Sequence, residues 1–186
     1  QNNRSVVYNY VENTWSTMTL ARSSYADAST YDVPYATEYT STNTPSLPIL
    51  SGATNTFGSS LYFAQEVGTN EVALNGTTTA IPAFIQSGDF DLPTDGDGEY
   101  MLRLSRFLPD FKNLVGNAKV TIFLKNFPID SGTSSQLGPF TISSTTQKID
   151  TRARGRLANI KIENTTTNET WRFGTFRADV KPDGRR

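Results

Sequence analysis

The chain has 186 residues, a formal net charge of −1, 36% hydrophobic side chains and a mean hydropathy of −0.43, and it contains no histidine and no cysteine. That length suits one domain, or a large domain with a smaller companion, and it supplies enough apolar side chains for a core. The two absences exclude Ser-His-Asp and Cys-His triads, His- or Cys-ligated zinc, facial-triad iron, iron–sulfur clusters and disulfides.

What remains for chemistry is carboxylates, Lys, Tyr, Ser and Thr, and no cofactor is expected. Ser and Thr make up about 23% of the chain, a bias toward strands joined by polar turns. The chain starts at Gln1 without a basic-then-apolar leader, which reads as a trimmed or processed chain. Its apolar runs, such as Val120-Thr-Ile-Phe-Leu124, are too short to span a membrane.

In chain order, strands are expected at 6–10 and 17–21, joined through Glu12-Asn13-Thr14-Trp15. Residues 37–60 are a low-complexity run of Thr, Ser, Asn, Pro and Gly, expected to be a long surface loop. It sets the expected boundary between a first part, 1–60, and a second, 61–186. Strand pattern resumes at 61–66 and 80–86, with Asn75-Gly76 as a tight turn between them. Residues 99–106 alternate, with Tyr100, Leu102 and Leu104 against Met101, Arg103 and Ser105. Asp97-Gly98 and Leu108-Pro109-Asp110 supply the flanking turns. Residues 118–124 and 157–163 alternate again. In 171–180 the phase slips at Gly174-Thr175, as a β-bulge would make it do. Short strands at this spacing, with no helical stripe, give an all-β antiparallel sandwich or barrel.

Charge is segregated along the chain. Residues 1–102 hold two basic side chains against eleven acidic ones, a net of −9, whereas 103–186 hold fifteen against seven, a net of +8. Either the halves neutralise each other within one monomer, or the basic end meets something acidic, such as another copy. Arg152, Arg154 and Arg156 occupy every second position. Extended, they would project from one face as a row suited to carboxylates or phosphates, or serve as a charged edge that discourages aggregation. Arg172, Arg177, Lys181, Arg185 and Arg186 add to that basic end.

The carboxylates of 89–99 do not follow the EF-hand spacing, and Asp-Gly-Asp-Gly reads as turn chemistry, so no metal is expected. A glycosidase pair drawn from Asp89, Asp91, Asp95 and Asp97 has no spacing to single it out. Asn75, Asn164 and Asn168 head N-glycosylation triplets that read as turns. Trp15, Trp171, Phe173 and Phe176 are expected as core anchors.

Several segments carry a family likeness. They are Val7-Tyr-Asn-Tyr10 with Trp15-Ser16 and Ala21-Arg22, Gln65-Glu-Val-Gly68, Gln86-Ser-Gly-Asp-Phe-Asp91 and Arg106-Phe-Leu-Pro-Asp110. Then come Thr151-Arg-Ala-Arg-Gly-Arg156 and Trp171-Arg-Phe-Gly-Thr-Phe-Arg-Ala-Asp-Val180 with Lys181-Pro-Asp-Gly-Arg-Arg186. In these the chain resembles the C-terminal part of the tail nozzle or hub proteins, also called packaged-DNA stabilisation proteins, of short-tailed bacteriophages. The likeness covers nearly the whole chain except 37–60, and its closing pieces are the most specific.

The resemblance implies a non-enzymatic virion protein located in the tail. It implies a homo-oligomeric ring, usually of six copies, with tail adaptor or portal-complex proteins as neighbours and transient contact with packaged viral DNA. It also likens the Tyr-Asn-Tyr…Trp-Ser strands within residues 1–60 to a β-propeller blade ahead of the sandwich, although 186 residues are too few for a whole propeller. The arginines named above are then subunit-interface or DNA-facing residues. A different reading is a carbohydrate- or receptor-binding β-sandwich from a tail fibre or surface protein, in which Tyr31, Tyr35 and Tyr39 stack on sugar rings.

Overall fold

The structure, a computed structural model, describes residues 4–19, 22, 24–29, 31–40, 60–65, 68–72, 76–92, 100–128 and 135–185. Every regular element among them is a strand, so the expected all-β class holds and no helix is long and apolar enough to cross a membrane. The chain divides into two compact units, one of residues 1–68 and 74–76, the other of 69–73 and 77–186.

In the first unit, β1 (Ser5–Asn9) and β2 (Thr14–Met18) form an antiparallel hairpin. A three-stranded sheet is built from β3 (Ser24–Ala26), β4 (Tyr35–Thr40) and β5 (Ser60–Gln65). The second strand starts three residues before the expected 17. The Asn9 side chain accepts the backbone N–H groups of Val11 and Glu12, and Asn13 takes a φ of 52°, so the turn closes before Thr14. Trp15 therefore lies in the strand. It is 70% exposed and stacks on Tyr8 with ring centroids 4.4 Å apart, so it is not the core anchor expected. Residues 37–40, expected in the loop, extend β4 and pair with β5, and 41–59 lie outside the described residues. The pairing also places β5 in the first unit.

The second unit begins with β6 (Asn70–Val72), β7 (Thr78–Ala80) and β8 (Ala83–Gln86). The single strand expected at 80–86 is thus broken at Ile81-Pro82, because proline cannot donate to a ladder. β7 pairs back on β6, whereas β8 joins a different sheet. Gly76 has a φ of +82°, consistent with a tight turn, and Asn75 lies outside the described residues.

The remaining strands are β9 (Tyr100–Leu108), β10 (Phe111–Val115), β11 (Ala118–Lys125), β12 (Ser135–Ile142), β13 (Ile149–Gly155), β14 (Leu157–Asn164), β15 (Thr170–Phe173) and β16 (Arg177–Arg185). They make an antiparallel β-sandwich from a four-stranded sheet, β12-β11-β14-β8, and a three-stranded sheet, β13-β9-β16. Leu102, Leu104 and Phe107 of β9 enter one core with Val120, Ile122 and Leu124 of β11 and Ile160 and Ile162 of β14. Each such side chain contributes about 1.5–3 kcal/mol on burial. A two-stranded β10-β15 sheet lays Phe111, Leu114, Trp171 and Phe173 against that core.

The alternation within β9 holds only from Leu102 to Leu104, since Met101, expected opposite them, is also buried. Ser105 is an extra residue against β16, between the pairs Val180–Leu104 and Asp179–Arg106. This bulge restores Phe107 to the core side after a phase change. The expected bulge at Gly174 is instead a corner. β15 ends at Phe173 and belongs to one sheet, and β16 starts at Arg177 in another. The N–H of Gly174 donates to the Asp110 carbonyl at 2.7 Å, and a Cβ there would lie 2.9 Å from Asp110 Cγ. The Asp110 carboxylate accepts the Thr175 N–H and lies 3.7 Å from Arg177.

Candidate interaction surface on the three-stranded sheet

The core side of β13-β9-β16 is Leu102, Leu104, Phe107, Ile149, Ala153, Ala178 and Val180. With that side apolar, alternation sends the charged residues outward. These three strands carry Arg103, Arg106, Arg152, Arg154, Arg177, Lys181 and Arg185 against Asp150, Asp179 and Asp183. Seven cations against three anions give the sheet a net of +4.

The Thr151-Arg-Ala-Arg-Gly-Arg156 segment shows how the pattern is set. Small residues take the inward positions, with Ala153 fully buried. A Cβ on Gly155 would sit 3.2 Å from Leu124 Cβ and 3.3 Å from two backbone oxygens. Arg152 and Arg154 are exposed on the opposite side. Arg156 departs from the expected row. The chain passes there from β13 into β14 of the other sheet, the Arg156 N–H donates to the Lys125 carbonyl at 3.0 Å, and its guanidinium lies 5.7 Å from the Phe127 ring centre.

Register ranks the charges across the sheet. One rank is Asp150–Arg106–Asp179, with opposite signs side by side. Arg106 Nε lies 2.9 Å from Asp150, and Lys148 Nζ 3.1 Å from the other oxygen of the same carboxylate. The hydrogen bonds from Arg106 and then Lys148 hold the Asp150 carboxyl below its usual 3.8, and the bond to Asp150 raises the Arg106 guanidinium further.

The next rank is Arg154–Arg103–Lys181, three cations abreast. Arg154 is bound at 2.6 Å by Asp183, and Lys181 lies 3.8 Å from Asp179. Among the described residues, Arg103 and Arg152 have no carboxylate partner. At the far end, Arg185 donates to the Tyr100 hydroxyl and lies 4.6 Å from its ring centre.

Other residues singled out by the sequence fall elsewhere. Arg172 is on β15, opposite Lys112 of β10, in the small separate sheet. Arg186 lies outside the described residues, as do Asp95 and Asp97. Asp89 pairs with Lys125 at 2.8 Å on the other sheet. Among the described residues no three acidic side chains gather as a cation site. A pocket of about 300 Å³, lined by Pro109, Phe111, Asn113, Leu114, Ile142 and neighbouring Ser and Thr residues, contains no titratable group. In the first unit Tyr31 and Tyr35 meet edge to face at 5.1 Å, and Tyr39 sits four residues further along β4.

Two of the glycosylation triplets have structural explanations. Asn164 is 5% exposed; its side-chain oxygen accepts from Ala83 N–H and Trp171 Nε1, and its amide donates to the Ile81 carbonyl. It closes β14 from inside and is not a turn residue. Asn168 does sit in a turn, with a φ of 60°, and exchanges bonds with the Asn70 side chain.

What sequence reasoning missed is Arg103 and Arg106. Each stands on β9 at the centre of the face, and neither belongs to the alternating arginine row; only strand order places them between β13 and β16. No protein-family model matches the chain, and no curated protein is significantly similar to it.

Proposed function

We propose that this chain is a non-enzymatic structural component of a bacteriophage tail, of the nozzle or hub type. It forms a ring that retains packaged DNA and conducts it at ejection, with tail adaptor or portal-complex proteins above or below. The observation that supports this reading is the cationic outer face of β13-β9-β16, set in a chain whose first 102 residues carry a net of −9. A ring built by heterologous contacts needs two unlike and complementary surfaces on every copy. Acidic side chains along a channel would also let DNA leave, because they repel phosphates.

The resemblance segments fit a protein whose distinctive residues serve its fold. Phe107 of Arg106-Phe-Leu-Pro-Asp110 stacks on Phe176 of the closing segment at 5.1 Å, and Asp110 bonds Gly174 and Thr175 of that same segment. The two motifs interlock as one corner.

The test is assembly. Replacing Arg152, Arg154 and Arg156 with Ala should reduce oligomer formation while leaving the strand signal in circular dichroism intact. Normal assembly of the triple variant would remove these arginines from the interface. The Tyr31–Tyr35 pair favours a second reading, in which the first unit stacks sugar rings. A glycan array with selective binding that disappears in Tyr35→Ala would support that reading over the ring.

A further inference from the structure

The Arg154–Arg103–Lys181 rank is an arrangement that the isolated sheet should disfavour, since like charges directly opposite destabilise paired strands. The rank beside it, Asp150–Arg106–Asp179, shows that the same strands accommodate alternating signs one step along. Arg103 is flanked by a cation on each side and is met by no carboxylate among the described residues. Strands lie about 4.8 Å apart, so the three cations span about 10 Å. That is the footprint of a few carboxylates on a protein surface.

The first unit is of the opposite sign. Residues 1–68 and 74–76 hold Arg4 and Arg22 against Glu12, Asp27, Asp32, Glu38 and Glu66, two basic against five acidic for a net of −3, with no lysine. Glu12, Asp27 and Asp32 are exposed. Ser29 donates its hydroxyl and its N–H to Asp27.

We infer that the outer face of β13-β9-β16 docks the acidic first unit of a second copy of this chain, head to tail, with Arg103 at the centre of the contact. The inference rests on the ring reading and names its two surfaces. An anion over Arg103 relieves the repulsion within the rank, so the face is more comfortable in the assembly than alone. A head-to-tail contact of this kind closes into a ring when its rotation permits.

Two charge-reversed chains test it. One carries Arg103→Glu, Arg152→Glu and Lys181→Glu, which take the face from +4 to −2. The other carries Glu12→Lys and Asp32→Lys, which make the first unit basic. Measured by light scattering at low salt, each alone should assemble at least tenfold more weakly than the native chain. The equimolar mixture should recover assembly, because each altered surface then meets its complement on the other chain. Alternation closes only with an even number of copies, so the recovered species should be even-numbered, as a six-copy ring would be. Recovery on mixing also establishes that both variants are folded, and the neutral Arg103→Thr chain should assemble at an intermediate level.

If the native chain assembles and the face variant assembles equally well, the face assignment is overturned while the ring reading stands. If the native chain is monomeric throughout, the ring reading falls and this inference falls with it. If both variants assemble natively and the face variant has lost only its retention on duplex DNA, the occupant is phosphate and the inference is wrong.

Discussion

Replacing Arg103 with Thr should stabilise the isolated chain. Arg103 stands opposite Arg154 and Lys181, and a like-charged cross-strand pair costs about 0.2–1 kcal/mol. Removing the middle charge relieves two such pairs, and Thr favours an extended backbone. Against this stands the packing of the arginine stem on the sheet. The net gain should be about 0.5–1 kcal/mol, which for a chain of 186 residues corresponds to a rise in Tm of about 1–4 °C. At about 0.5 M salt the Debye length falls to roughly 4 Å and most of the gain should vanish. Arg106 supplies the control, since it lies three residues away on the same strand between Asp150 and Asp179. Arg106→Thr should lower Tm at low salt. Thermal unfolding followed by circular dichroism, on dilute chain at both salt levels, reads all four values. Equal signs for the two arginines, or a gain for Arg103→Thr that salt leaves unchanged, would refute the argument from cross-strand charge.

Phe107 is fully buried and stacked on Phe176, so Phe107→Ala should cost about 3–5 kcal/mol, read as a lower urea midpoint. Asn164→Ala leaves Ala83 N–H and Trp171 Nε1 without their acceptor and should cost about 1–3 kcal/mol in the same assay. The Asp150 carboxyl is held below its usual 3.8 by Arg106 and Lys148. Its contribution is therefore complete above that value and disappears as pH falls through the lower folded-state value. A carboxyl NMR titration should show Asp150 titrating below its usual 3.8, and Arg106→Gln should move it upward.

Alternation alone revealed the sandwich core. Val120, Ile122 and Leu124 are all buried as their spacing predicts, and Ile160 and Ile162 face them from the neighbouring strand. What misled it were places where backbone chemistry interrupts the period. Pro82 divides one apparent strand into two that serve different sheets. Gly174 looks like a bulge because its two flanking runs are out of phase, yet the hydrogen bond to Asp110, 64 positions earlier, makes it a corner.

The surface was legible in part for the same reason. The Arg152 and Arg154 alternation is local and readable, and Ala153 between them and Gly155 after them announce a close-packed inner side. Arg156 has the same spacing but falls where the chain changes sheets. Arg103 gains its meaning only from non-local pairing, because β13 and β16 flank β9 from more than 40 residues away. Trp15 failed as a core residue because its hairpin is two-stranded, and its ring, stacked on Tyr8, stays 70% exposed.

The proposed function requires that this chain assemble through complementary charge. The most direct measurement is the mass of the native chain by light scattering, across protein concentration and at low and high salt. A closed oligomer of defined mass at low salt that dissociates as salt rises is the predicted result. A monomer at every concentration and salt level would contradict it.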